Sequence, residues 1–240
     1  MSEARKDIQA VLFDKDGTLF DFRSTWNVWA HGLLLKYADG DAFVLKALAE
    51  ALQFDLDAME FEPDSFVIAG TNAQVAGAIA EVLERRDVDA LGDEISEAAQ
   101  GAPVVPAVPL RPLLAHLSEH GYALGVMTND TEAGAYAHLE AAGVSDAFSF
   151  VCGSDSGHGA KPDAEPLLAF SKVCGIDPTR IVMVGDSAHD LLAAKAAGMR
   201  GIGVLTGMAR ASELAPHADA VLTDIGELPE WLGSPFPEEE

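Results

Sequence analysis

The run Ile8-Gln9-Ala10-Val11-Leu12-Phe13 closes on Asp14-Lys15-Asp16-Gly17-Thr18. This junction constrains the fold more than any other stretch of the chain. An apolar run of strand length belongs inside a sheet, and two carboxylates at its end place charge at the sheet's carboxyl edge. That edge is where open α/β sheets bind ligands. Three more islands follow in order: Thr128-Asn129, Lys161-Pro162, and Gly185-Asp186-Ser187 with Asp190. Each is weak alone, and the order of all four carries the information.

The segments between the islands define the architecture. From residue 122 onward, short apolar runs alternate with helical stretches. Tyr122 to Met127, Phe148 to Cys152, Arg180 to Val184, Gly201 to Leu205 and Ala220 to Leu222 read as strands. Glu132 to Ala142, Asp163 to Val173 and Ala188 to Ala197 read as helices, two of them stopped by Gly143 and Gly198. Apolar runs separated by helices of this length predict a parallel sheet covered on both faces. Residues 21 to about 105 differ. Trp26 to Tyr37, Ala42 to Gln53, Asn72 to Arg86 and Glu94 to Ala99 read helical, and Ala76, Ile79, Ala80 and Leu83 repeat at helical spacing. No strand signal of comparable strength occurs there. The return segment Ala102 to Pro109 is proline-rich and reads as a semi-rigid linker. The expected fold class is thus α/β, a doubly wound parallel-sheet, Rossmann-like core of residues 1–20 and 108–240. An all-helical cap of residues 21–107 is inserted after the first strand.

Composition excludes several partners. The 240 residues are 49% hydrophobic and 22% charged, as in ordinary globular proteins. The net charge of -24 disfavours nucleic acid and anionic membranes, which require a basic face. An anionic ligand then needs local positive charge: a metal, a lysine or a helix N-terminus. No apolar run is long enough to span a bilayer. Met1 to Asp7 is polar and leads into a run too short for a secretory signal, so a cytoplasmic location is expected. Glu238-Glu239-Glu240 reads as a frayed acidic tail. Cys152 and Cys174 lack metal-type spacing and read as buried free thiols. The oligomeric state is not legible.

The four islands, their order and the helical insert resemble the haloacid dehalogenase-like superfamily, most closely its phosphoglycolate phosphatase-like group with a helical cap. The resemblance covers essentially the whole chain. It implies a Mg²⁺-dependent phosphatase that hydrolyses a small phosphorylated metabolite, phosphoglycolate-like or a sugar phosphate, through an aspartyl-phosphate. Asp14 is then the nucleophile, a carboxylate that needs orientation and a cation to attack phosphate. Asp16 is the general acid and later the base, with its backbone carbonyl toward the metal. Thr128 and Asn129 hold a phosphoryl oxygen, although Thr128-Asn129-Asp130-Thr131 also reads simply as a capped helix start. Lys161 bridges the phosphate and Asp14. Asp186 and Asp190 complete a hard-oxygen site suited to Mg²⁺, with Asp190 either a ligand or an orienting residue.

Several positions stay open. Lys15 stands where the family usually has an apolar residue; its side chain either favours an anionic substrate or lies outside the site. Arg23, just past the first crossing, is either a clamp for a carboxylate or second phosphate or a solvated linker residue. Trp26 and Trp29 read as cap core, Gly70-Thr71-Asn72 as a loop facing the site, and His158 as a solvent-exposed loop residue. The competing readings are a phosphomutase or phosphonate-processing enzyme on the same fold, and a non-catalytic protein that binds a phosphate ligand. The intact aspartates argue against the last.

Overall fold

The computed structural model describes residues 7–236. The N-terminal residues 1–6 and the acidic tail Glu238-Glu239-Glu240 lie outside the described residues. The chain opens on β1 (Ala10–Phe13), then forms α1 (Phe22–Ala38), α2 (Ala42–Leu52), β2 (Phe54–Asp55), β3 (Glu60–Phe61), α3 (Asn72–Val82) and α4 (Val88–Gln100). The remainder alternates: α5 (Leu110–Glu119), β4 (Ala123–Met127), α6 (Glu132–Ala141), β5 (Phe150–Cys152), α7 (Glu165–Cys174), β6 (Ile181–Gly185), α8 (Ala188–Ala197), β7 (Arg200–Val204) and β8 (Ala220–Leu222).

Six strands form one parallel sheet in the order β5-β4-β1-β6-β7-β8. β1 and β6 are buried at every residue, as strands covered on both faces must be. The twofold alternation of side chains sorts β1 between two cores. Val11 and Phe13 join the cluster with Leu113, Leu117 and Leu139, whereas Ala10 and Leu12 join the cluster with Phe170, Met183 and Ala194. The chain runs outward from β1 through β4 to β5, then returns to β6 on the other side. β1 and β6 therefore flank the point where strand order reverses, the usual crevice for a ligand in such sheets. The register aligns Phe13 with both Val126 and Val184, so the residues after all three emerge together.

The insert has its own hydrophobic cluster, built from Trp26, Leu34, Leu48, Ile79, Leu91 and Ile95 among others. Each helix carries a start signal. Asp21 accepts from Ser24 N–H, Asp41 accepts from Phe43 and Val44 N–H, and Thr71 with Gln74 forms a capping box. These caps explain where the observed bounds differ from the expected ones. Asp87 accepts from Ala90 N–H, so α4 begins at Val88 rather than Glu94. The expected helix from Asn72 ends at Val82, and Glu84 takes a left-handed φ of 52°. The insert also adds to its helices a small antiparallel hairpin, in which Phe54 pairs with Phe61 and Asp55 with Glu60. Two-residue strands leave too little alternation to be read from sequence.

The two crossings run side by side. Asp21 N–H donates to Val105 O at 2.8 Å and Ala107 N–H donates to Leu19 O at 2.9 Å. The proline-rich return is thus a paired strap with the outgoing segment. α5, a helix beyond those expected from the sequence, buries Leu113, Leu114 and Leu117 under the sheet. No helix among the described residues is long and apolar enough to cross a membrane.

Candidate active site

β1 delivers Asp14 to the crevice, and its backbone N–H is fixed by Val184 O at 2.8 Å. Asp186 follows β6, and Thr128 follows β4 with its N–H on Cys152 O. The turn after Asp14 is tight: Gly17 N–H donates to Phe20 O at 2.7 Å. Gly17 has φ 79°, and a Cβ there would lie 2.5 Å from the Asp186 carboxylate. Glycine is therefore required both by conformation and by space. At Gly185 a Cβ would run into the Asp190 carboxylate, so α8 can bring that side chain over the strand end only because the strand closes on glycine.

The carboxylates of Asp14, Asp186 and Asp190 lie within 4.8 Å of one another, all buried. One cation, Lys161, pairs with two of them. Lys161 Nζ donates to Asp14 Oδ1 at 2.5 Å and to Met127 O at 3.0 Å, and forms an ion pair with Asp190 Oδ1 at 2.7 Å. Asp190 Oδ2 accepts from Ser187 N–H at 3.0 Å and from its hydroxyl at 2.7 Å. Asp190 thus orients Lys161 and the start of α8. Asp186 has no lysine or arginine ion-pair partner among the described residues. Three buried carboxylates against one ammonium leave an excess of negative charge. Burial pushes Asp14 up to about 7; Lys161 opposes this, and Asp190 and Asp16 add repulsion. Burial, with Asp14 and Asp190 beside it, raises Asp186 well above the usual carboxylate range. Burial would lower Lys161, but Asp14 and Asp190 outweigh it and hold its ammonium well above the ordinary value. This donor set, hard oxygens with surplus negative charge, fits a divalent cation such as Mg²⁺.

A cavity of about 60 Å³ opens beside this cluster. Asp14, Asp16, Thr128, Asn129, Lys161 and Asp186 all line it. Its insert side is formed by Phe22, Trp26, Trp29, Ile68, Gly70, Asn72 and Val75. Trp26 and Trp29 do belong to the insert's packing, meeting edge to face at 5.1 Å, but they also face the cavity. The expected loop at Gly70-Thr71-Asn72 supplies two lining residues. A wider cleft of about 900 Å³ continues past Asn129, Lys161 and Asp186 to Arg23, Arg210 and His189.

Asn129 acts as a bracket. Its Oδ1 accepts Lys161 N–H at 2.9 Å, and its Nδ2 donates to Lys161 O at 3.0 Å and to Ala69 O at 2.8 Å. Thr128 Oγ1 accepts Asp130 N–H at 3.1 Å. Arg23 is not brought into the inner cavity. Its guanidinium, half-exposed, pairs with Glu60 Oε2 at 2.6 Å and lines the outer cleft. Asp190 lies behind Lys161 and does not line the cavity. His158 is exposed, Cys152 is a buried free thiol, and Cys174 is half-buried.

Lys15 lines neither cavity, in keeping with the reading that its side chain lies outside the site. It is fully buried beside Asp16, with Nζ 2.9 Å from Asp16 Oδ2, 2.9 Å from Asp130 Oδ2 and 2.8 Å from His138 Nδ1. Asp130 and His138 were not legible as site residues. One read as part of a helix start and the other as a helix residue, and both meet Lys15 only through the fold. His189, which lines both the inner cavity and the outer cleft, was passed over although it lies between Asp186 and Asp190.

A family model described as haloacid dehalogenase-like hydrolase matches residues 8–198. The chain belongs to that family, and as an enzyme it is a phosphoric monoester hydrolase. A phosphoglycolate phosphatase of Neisseria meningitidis is 34% identical over an alignment covering 96% of this chain and 94% of the relative. One from Rhodospirillum rubrum is 39% identical over 137 residues, and the match spans 57% of this chain and 56% of that protein. The crystal structure of CbbY from Rhodobacter sphaeroides in complex with phosphate superposes with a TM-score of 0.71 at 20% identity, over 94% of this chain and 99% of that one, which supports the fold.

Proposed function

We propose that the protein is a Mg²⁺-dependent phosphatase that hydrolyses a small phosphate monoester through an aspartyl-phosphate on Asp14. The observation that carries this reading is the Asp14 carboxylate, buried at the end of β1 and held 2.5 Å from Lys161 Nζ. Asp14 Oδ attacks phosphorus, and the ester oxygen leaves with a proton from Asp16. Asp16 then takes a proton from water, whose oxygen attacks the same phosphorus and frees Asp14. Lys161 neutralises charge between nucleophile and phosphate, with Thr128 and the strand-end N–H groups around the phosphoryl oxygens. When bound by Asp14, Asp186, the Asp16 carbonyl and the Asp190 region, Mg²⁺ supplies positive charge that orients the nucleophile and screens its repulsion from phosphate.

The insert, residues 21–107, is the cap that shapes the leaving-group side. Its apolar wall and the small inner cavity favour a small molecule over a phosphoprotein. Phosphoglycolate is the first candidate, because relatives that match along most of their length carry that name. In this reading Arg23 meets a second anionic group only after leaving Glu60. The test is Asp14→Asn in a phosphate-release assay with Mg²⁺. Turnover should fall by about 10³-fold or more, as when a nucleophile is removed, with an unchanged circular dichroism spectrum. Rapid quenching of the native enzyme should trap an acid-stable, base-labile phosphoprotein that the variant lacks. Turnover near the native rate in the variant would end this assignment.

A further inference from the structure

Lys15 is fully buried beside Asp16, and burying an ammonium is costly unless every proton finds an acceptor. Here each does. Three acceptors surround Nζ: Asp16, Asp130 and His138, at 2.9, 2.9 and 2.8 Å. The ring of Trp26 lies 5.2 Å from Nζ. His138 is fixed as a single tautomer by its partners. Its Nε2 faces Ala99 O at 2.9 Å and must carry the proton, so Nδ1 is the acceptor for Lys15.

The partners lead into the insert. Asp130 Oδ1 accepts from Asn72 Nδ2 at 3.0 Å, and the same Nδ2 donates to Ser96 Oγ at 3.2 Å. Asn72 opens α3, whereas Ser96 and Ala99 belong to α4 and Trp26 to α1. A single ammonium therefore joins Asp16 of the core to three helices of the insert. An apolar side chain would fill the same space without that connection.

We infer that Lys15 is a positioning residue that makes the placement of Asp16 depend on the docked insert. With Asn72 and Ala99 seated on Asp130 and His138, Lys15 is held, and Lys15 holds the Asp16 carboxylate at the cavity wall. When the insert swings away, those supports go and Asp16 loses its fixed rotamer. Proton delivery is thereby confined to the closed state. This inference rests on Asp16 being the proton donor to the leaving group.

The experiment compares glycerol phosphate, whose alkoxide leaves poorly, with nitrophenyl phosphate, which needs little protonation. Asp16→Asn fixes the signature expected from losing the acid. Lys15→Met paired with Asp130→Asn removes the ammonium and one carboxylate together, so that no single buried charge is stranded. Asn72→Ala cuts the insert's link through Asp130, keeps the one through His138 and leaves the ammonium in place. Both should lower kcat on glycerol phosphate by up to about 10²-fold, the low end for lost acid catalysis, with a much smaller loss on nitrophenyl phosphate and little change in KM. A merely structural role would instead lower thermal stability while scaling both substrates equally. Equal losses on the two esters in Asn72→Ala or in the double variant would overturn the inference even if Asp16→Asn shows the bias. Absence of the bias in Asp16→Asn itself would overturn the proton-donor reading and this inference with it.

Discussion

Asn129 Nδ2 donates to the carbonyl of Ala69 at 2.8 Å, so a residue just past β4 ties a loop of the insert to the segment that carries Lys161. The same side chain also brackets the backbone of Lys161 from both sides. One carboxamide thus sets the position of a cation and of the wall that faces it.

Asn129→Ala leaves the buried N–H and carbonyl of Lys161 without partners. The loss should be about 1–3 kcal/mol, the usual range for a stranded buried polar group. Urea unfolding measures it. The variant should also lower kcat, because the ammonium is no longer aimed at Asp14. Unchanged stability would show that water replaces the bracket at no cost.

Asp16→Asn separates the two steps of the reaction. General acid help is worth about 10²–10⁴-fold, most for a poor leaving group. The variant should therefore lose more activity on an alkyl than on an aryl phosphate, and its phosphoenzyme should break down slowly because water is no longer activated. Quench-flow with both esters reads each effect.

Metal and pH are linked through Asp14 and Asp186. Without metal, the folded protein raises Asp14 from 3.8 to about 7 and raises Asp186 as well. Across the window between those values the folded state binds more protons than the unfolded chain. Stability from these groups is therefore full below the ordinary carboxylate pKa and lost as pH rises through the folded value. Asp130, by contrast, is lowered: burial would raise it, but Lys15 outweighs burial, so its contribution is lost only on acidification below the window. The Tm of chelated protein should fall between about pH 5 and about pH 8, and Mg²⁺ should raise Tm more at the higher value, where its ligands are free of protons. Equal Mg²⁺ shifts at both ends would contradict a site at these carboxylates.

Arg23 and Glu60 make opposite predictions about selectivity. Their exposed pair contributes at most about 1 kcal/mol to folding. Glu60→Gln releases the guanidinium and should lower KM for phosphoglycolate, whereas Arg23→Ala should raise it. Neither should alter KM for a neutral aryl phosphate. Steady-state kinetics on the two substrates decide, and parallel shifts on both would remove Arg23 from substrate recognition.

That Asp14 and Asp186 share one edge could be read from sequence because each follows an apolar strand, and strand ends in a parallel sheet meet at one edge. That rule places Asp14, Thr128 and Asp186 together, whereas the roles expected of them came from the family resemblance, since Thr128 alone reads as a helix start. Lys15 was different. Its neighbour Asp16 supplies one partner, but the other two, Asp130 and His138, lie 115 and 123 residues away. Arg23 shows the same limit at shorter range, because Glu60 comes from a hairpin too short to leave a pattern. Helix starts without an apolar signal, as at Val88, were set by a cap at Asp87 that composition alone does not single out.

The strap formed by Leu19 to Asp21 and Val105 to Ala107 means that the chain leaves the sheet and re-enters it at adjacent points. A tight turn joining those points would leave β1 and α5 undisturbed. The eighty-odd residues between them are therefore a cassette, and exchanging it for another would require Asn129, Asp130, His138 and Lys15 of the core to change with it, because these side chains are keyed to Ala69, Asn72 and Ala99.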